Sequence, residues 1–322
     1  MPRLLFSVIR VAPLLALVSF ACGEASLPSY EIAAQQKMDV AAANPAHPTI
    51  DRPVFDSKGT LRWDARPAAV SGACPAGTPM SGQKSWLLAP RVDEVRCGAP
   101  GGPAQISLLG IGPAGVVVWR QALGFRSGEF TVDQLVLGVA AEGIVLSDLT
   151  VLAPATGAIV VPPKTHPVGA EKRPVPDVAL TGAALYLPRE QAFLHFAADV
   201  TLLHSEGGLF RIDGRTAKRE LLLPVATTLL RGYWRVESMV LSADGKTVYL
   251  AEKLAIRGEG GVAFSALDLG TRKVFFRRTF DEDQFCSDPA IVLGPHGRLG
   301  FSYKNDTAGK RLLIEIRPSG GK

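Results

Sequence analysis

From about Pro53 to the end of the chain, apolar residues come in short runs broken by turn signals. Val116–Trp119, Ile144–Leu152, Ala179–Leu187, Val248–Ala251 and Leu312–Ile316 are such runs, and Ala114-Gly115, Asp244-Gly245 and His296-Gly297 mark turns. Several runs alternate with period two, and few hold a 3.6-residue period over a helix length. The pattern predicts an all-β fold of short strands. Composition agrees: Gly 33 and Pro 24 in 322 residues suit tight turns and suit long helices badly.

The first fifty residues read differently. Val11–Ala21 is an uncharged run of eleven residues preceded by Arg3 and Arg10. That is the length of the apolar core of an export signal and too short to span a bilayer. Gly23–Pro53 is rich in Ala, Pro, Ser and Gln and has no sustained apolar period. Such a segment buries too little apolar surface to offset its ordering entropy. The expected organisation is therefore a signal peptide over 1–21, a flexible tether over 22–53 and a folded domain over 54–322. A short helix over Glu31–Ala42 is the competing reading of the tether.

Within the domain the same pattern is written several times. Leu241–Glu252 (LSADGKTVYLAE) and Leu293–Lys304 (LGPHGRLGFSYK) are two copies of a turn followed by a strand. Gly208–Leu221 (GLFRIDGRTAKREL) and Gly261–Phe276 (GVAFSALDLGTRKVFF) are two copies of a strand, an aspartate, a turn and a charged exit. Val151–Pro162 is a weaker copy, with Ala153 where the others carry Asp213 and Asp268. Those aspartates lie 55 residues apart. A four-strand repeat of that period is the signature of a propeller blade, a unit that cannot bury both faces alone and so stacks around an axis. Asp-Gly supplies the positive φ of a tight hairpin. Asp213 and Asp268 are read as turn-bracing residues that accept backbone N–H bonds.

These copies resemble blades of the YVTN/quinoprotein-like β-propeller superfamily, over about 140–318 and only poorly over 54–140. The resemblance implies a β-propeller of about five to seven four-stranded blades; a pair of β-sandwich domains is the alternative. It implies no activity, because the fold serves unrelated functions. Some superfamily enzymes use a quinone, but no set of residues here marks such a site, and the cofactor is left open.

Leu17–Gly23 (LVSFACG) resembles the lipobox of bacterial lipoproteins, in which the cysteine becomes the lipidated N-terminus. Ala21 and Cys22 fit the pattern, whereas Ser19 and Phe20 depart from it. Ser19-Phe-Ala21 also fits ordinary cleavage after Ala21. The resemblance implies anchoring through Cys22 to the cell envelope, on the outer membrane or its periplasmic side. A soluble periplasmic or secreted protein is the alternative. Three further cysteines remain, Cys74, Cys97 and Cys286. Export permits bridges. Cys74–Cys97 is the favoured pair, and closing its loop would stabilise by about 3 kcal/mol in the chain-entropy model.

Charge and motifs narrow the function less. The net charge is +5, from 35 basic and 30 acidic residues spread along the chain, which argues against nucleic acid as a partner. No nucleophile elbow, P-loop, HExxH, EF-hand loop or zinc-type Cys/His spacing occurs. The histidines, His47, His166, His195, His204 and His296, are not paired at ligand spacing; His195, in an apolar run, is read as a core residue. Asp281, Asp283 and Asp288 make the densest acidic loop and are weak candidates for a hard cation. The resulting expectation is a non-catalytic, envelope-anchored propeller lipoprotein that binds a protein or glycan partner on one face. The alternative is an envelope hydrolase, lyase or dehydrogenase with its active site in the central funnel.

Overall fold

The computed structural model describes residues 28–39, 49–67, 73–86, 91–99, 105–112, 116–126, 136–162, 165–168, 171–174, 182–197, 200–201, 204–205, 207–224, 233–255 and 260–319. The chain opens with strand β1 (Tyr30–Asp39), followed by a hairpin of β2 (Thr49–Phe55) and β3 (Leu61–Pro67). Blade one is β4 (Met80–Trp86), β5 (Arg91–Cys97), β6 (Gln105–Ile111) and β7 (Val117–Arg126). Blade two is β8 (Val136–Ala140), β9 (Gly143–Leu146), β10 (Val151–Leu152) and β11 (Ile159–Val161). A small ladder, β12 (Thr165–Val168) with β13 (Glu171–Pro174), follows.

Blade three comprises β14 (Ala184–Leu187), β15 (Ala192–Ala197), β18 (Gly208–Asp213) and β19 (Arg219–Pro224). The short pair β16 (Val200–Thr201) and β17 (His204–Ser205) lies in its second turn. Blade four is β20 (Tyr233–Leu241), β21 (Thr247–Ala255), β22 (Val262–Asp268) and β23 (Lys273–Phe280). Blade five takes β24 (Cys286–Leu293), β25 (Leu299–Asn305) and β26 (Lys310–Pro318) from the C-terminus and β1 from the N-terminus, in the order β24-β25-β26-β1. The molecule is thus a five-bladed β-propeller, at the low end of the expected range, and not a sandwich. Among the described residues no helix is long and apolar enough to cross a membrane.

The physical unit is the interface between blades. Val92, Ile106 and Leu108 of blade one meet Val136, Ile144 and Leu146 of blade two. Leu137 and Val151 of blade two meet Ala184, Tyr186 and Phe193 of blade three. Leu194, Phe196 and Leu209 of blade three meet Val236, Leu250 and Leu267 of blade four. Tyr249, Phe264 and Ala266 of blade four meet Phe301, Tyr303 and Ile314 of blade five. The β2–β3 hairpin covers the other face of blade five, with Leu61 against Val292 and Leu313, flanked by Phe55 and Trp63.

The repeats land where the pattern put them. Asp213 Oδ1 accepts the backbone N–H groups of Arg215 and Thr216 at 2.9 and 2.7 Å, and Asp268 Oδ1 accepts that of Thr271 at 2.6 Å. Both turns join the third and fourth strands of their blades. At the weaker copy, Ala153 lacks a carboxylate; Gly157 N–H donates to Ala153 O at 2.8 Å, and the Thr156 hydroxyl accepts the Ala158 N–H at 3.3 Å. Asp244-Gly245 and His296-Gly297 join the first and second strands of blades four and five, with φ of 73° and 72° at the glycines.

The tether reading is corrected. Tyr30–Asp39 is neither spacer nor helix; it pairs antiparallel with β26 from Tyr30↔Pro318 to Asp39↔Lys310. Thr49–Phe55 is also a strand. The reason is position. An outer strand needs a ladder partner more than it needs an apolar face, and among the described side chains of β1 only Tyr30 is buried. Tyr30 carries the docking: its ring lies 5.2–5.9 Å from those of Tyr249, Phe264 and Phe276, and its hydroxyl is 3.2 Å from that of Tyr249. Burial, and then the bond to Tyr249, push the Tyr30 hydroxyl well above the usual phenol range.

Tyr30→Ala should therefore cost about 3 kcal/mol, as for a large buried aromatic. Tyr30→Phe, which keeps the ring, should cost no more than about 1 kcal/mol. Urea unfolding of the two variants distinguishes a docked strand from a passive spacer.

Candidate functional site

In each four-stranded meander the first and third turns lie at the same end of the blade. Contacts link several neighbouring ends. Trp119 Nε1, near the start of β7, donates to Pro154 O in blade two at 2.8 Å. Arg189 of blade three donates to Asp244 O of blade four at 2.7 Å, and Arg272 of blade four pairs with Glu220 of blade three. The Arg298 guanidinium of blade five lies 5.1 Å from the Phe55 ring at the hairpin tip. These turns form one rim of the propeller.

On this rim, between blade five and the hairpin, lies an open cleft of about 830 Å³. Its walls are Phe55–Gly59, Leu293–His296, Arg298, Arg317 and Pro318. Three short segments thus bring Lys58, His296, Arg298 and Arg317 together. Gly59, at φ 73°, is needed for a second reason: a Cβ there would stand 3.0 Å from Pro295 and 3.1 Å from the Arg298 guanidinium. Glu315 holds Arg298 at 3.2 Å and Arg317 at 2.8 Å from its Oε1. The Nε of Arg298 is buried and has no hydrogen-bond partner among the described residues. The acid in the wall, Asp56, accepts the backbone N–H groups of Thr60 and Lys58, each at 2.9 Å. Thr60 first, then Lys58, hold its carboxyl below the usual range. Asp56 is committed to the turn, which leaves the cleft suited to an anionic group.

The opposite end of blade five is acidic. Tyr303 and Asn305 donate to Asp281 Oδ2 at 2.9 and 2.6 Å, and Asn305 also bonds Gln284. Thr307 Oγ1 accepts from the Phe285 N–H at 2.9 Å, and Lys304 pairs with Asp306 at 2.5 Å. Asp281, Asp283 and Asp288 do not gather: Asp281 is bound into this network, and Asp283 and Asp288 are exposed. Among the described residues no group of three or more His, Cys, Asp or Glu is placed to hold a metal. Cys286, 1% exposed, carries a free thiol under this loop. Burial, reinforced by Asp281 and Asp306, pushes that thiol up to about 12.

Cys22 and His47 lie outside the described residues. Cys74 and Cys97 are bonded, with Cα atoms 5.5 Å apart. His166 falls on β12 and His204 on β17; His195 is buried in β15; only His296 reaches the cleft. The sequence reading missed Lys58, Arg298 and Arg317, whose alignment depends on the hairpin docking on blade five. It also missed a buried ion pair in blade one. Asp93, fully buried, accepts from Arg91 at 2.6 and 2.5 Å and from Gln83 at 2.7 Å. Alternation of Arg91, Asp93 and Val95 along β5 was the available signal.

No protein-family model matches the sequence, and no curated protein is similar to it. Several solved structures align with it at low identity. A glucose dehydrogenase aligns with a TM-score of 0.48 and 15% identity over 91% of this chain and 100% of that one. A Synechocystis apocarotenoid oxygenase mutant aligns at 0.41 and 11% identity, covering 80% of this chain and 63% of that one. Kuenenia stuttgartiensis hydrazine synthase aligns at 0.36 and 12% identity; this chain spans about half, 53%, of its length.

Cys286 gives a direct check of the acidic end. Its thiol stays protonated at pH 8, because its folded pKa lies far above the free value of about 8.5. In the Cys22→Ala variant, native protein should show no fast-reacting thiol toward a disulfide reagent at pH 8, and one thiol should appear on unfolding with the Cys74–Cys97 bond intact.

Proposed function

We propose that this chain is an exported propeller lipoprotein of the cell envelope that works by binding. Its cleft at the junction of the hairpin and blade five receives an anionic group of its partner. One observation carries the reading: three separated segments converge Lys58, Arg298 and Arg317 on an open cleft; among the described residues its one lining carboxylate, Asp56, is bound to its own turn, and Glu315 fixes the two arginines in place. A fixed cationic cradle recognises charge and does not by itself move protons. Lipidation at Cys22 would place this binding domain on a membrane. In that arrangement the anchor and the domain lie close in sequence, since β1 begins eight positions after Cys22.

Two measurements test the two halves. Mass spectrometry of the mature N-terminus should show an acylated Cys22; an unmodified terminus would mean a soluble periplasmic or secreted protein. Glycerol phosphate, titrated onto the purified protein, should shift resonances of the cleft. Lys58→Glu combined with Arg317→Glu should weaken that binding at least about tenfold, since each removes a charge-assisted contact of roughly 1.5 kcal/mol. An unchanged affinity would remove the cleft as the site.

A further inference from the structure

The rim that holds the cleft carries a second feature. Val116 and Val118 of blade one, Ile159 and Val160 of blade two, Leu221 of blade three and Val274 of blade four are 38–63% exposed. Each lies at or near the start of its blade's outer strand, just after the turn that reaches the rim. Single exposed apolar residues are ordinary. Repetition at the same position in four consecutive blades makes an apolar band around one edge. Among the described residues the two other large exposed apolar side chains, Met80 and Phe285, sit at the opposite end.

The rim also carries exposed lysines. Lys58, Lys218, Lys246 and Lys273 are exposed on the rim. The rim aspartates, Asp56, Asp213, Asp244 and Asp268, accept backbone N–H bonds within their turns. Glu190 and Glu220 there pair with Arg211 and Arg272. The loop Asp281–Asp288 concentrates acid at the far end. An edge with apolar side chains and exposed lysines side by side has the make-up of a membrane-interface surface.

The anchor points the same way. Tyr30, the first residue of β1, pairs with Pro318 on the rim, while Asp39 pairs with Lys310 at the far end. Eight residues from Cys22 reach at most about 28 Å. A lipid on Cys22 would therefore hold the rim against the bilayer, with the far end a further ~33 Å away along the ten residues of β1.

We infer that the turn-bearing rim of the propeller docks on a bilayer of anionic phospholipid, with the headgroup as the occupant of the basic cleft. This rests on the cleft reading above and names its partner.

The test uses the full chain carrying Cys22→Ala, exported and cleaved after Ala21, so that no lipid contributes. Co-sedimentation with vesicles of phosphatidylglycerol and phosphatidylethanolamine should exceed that with phosphatidylcholine vesicles and should fall in high salt. Lys218→Gln and Lys273→Gln should each lower the partition roughly fivefold, the effect of one interfacial cation. Val118→Asp with Ile159→Asp should lower it at least about tenfold. Asp283→Asn, at the far end, should change nothing. Thermal unfolding of each variant reports that the fold is kept. Equal partition to both vesicle types, or rim variants without effect, would overturn the docking. Glycerol phosphate binding without vesicle binding would overturn the docking and leave the cleft reading standing; loss of both would overturn both.

Discussion

The ladder between β1 and β26 joins the two ends of the described chain, and blade five depends on it. A blade is a twisted four-stranded sheet with two apolar faces, and it is stable only when both are covered. Without β1, blade five would present β26 as an open edge, a ready template for pairing with another chain. Tyr30 locks the ladder by entering the aromatic cluster shared by blades four and five. The same strand that completes the blade also pins the interface next to it.

This closure organises the surface as well as the core. The first and third turns of blades one to four share a rim with the first turn of blade five. That rim gathers the Asp-braced turns, exposed lysines and apolar outer-strand residues. The opposite end gathers the acidic network of Asp281, Tyr303, Asn305 and Asp306 over Cys286. The polarity of the molecule is thus a product of repeated topology and not of any single segment.

Legibility in the sequence followed locality. Asp213 and Asp268 were readable as turn braces because each contacts backbone two or three residues on. The Cys74–Cys97 pairing was favoured on spacing. The cleft was not readable, because Lys58, Arg298 and Arg317 are neighbours only after the hairpin packs on blade five. The Arg91–Asp93 pair was hidden for a related reason: a charged residue on a strand looks solvated until the packing around it is known. Tyr30–Asp39 was misread because an edge strand with two largely exposed faces has the composition of a spacer.

By itself the sequence determined the β character, the turn chemistry, the repeat of about 55 residues and, through it, the propeller architecture. These are set by period-two patterning and by the φ and hydrogen-bond demands of individual turns, which are local. Tertiary structure alone decided the number of blades, the recruitment of Tyr30–Asp39 into the last of them, and the gathering of basic and apolar side chains on one rim. Those outcomes depend on which backbone edges find partners and which distant segments meet, and no window of sequence contains both halves of such a contact.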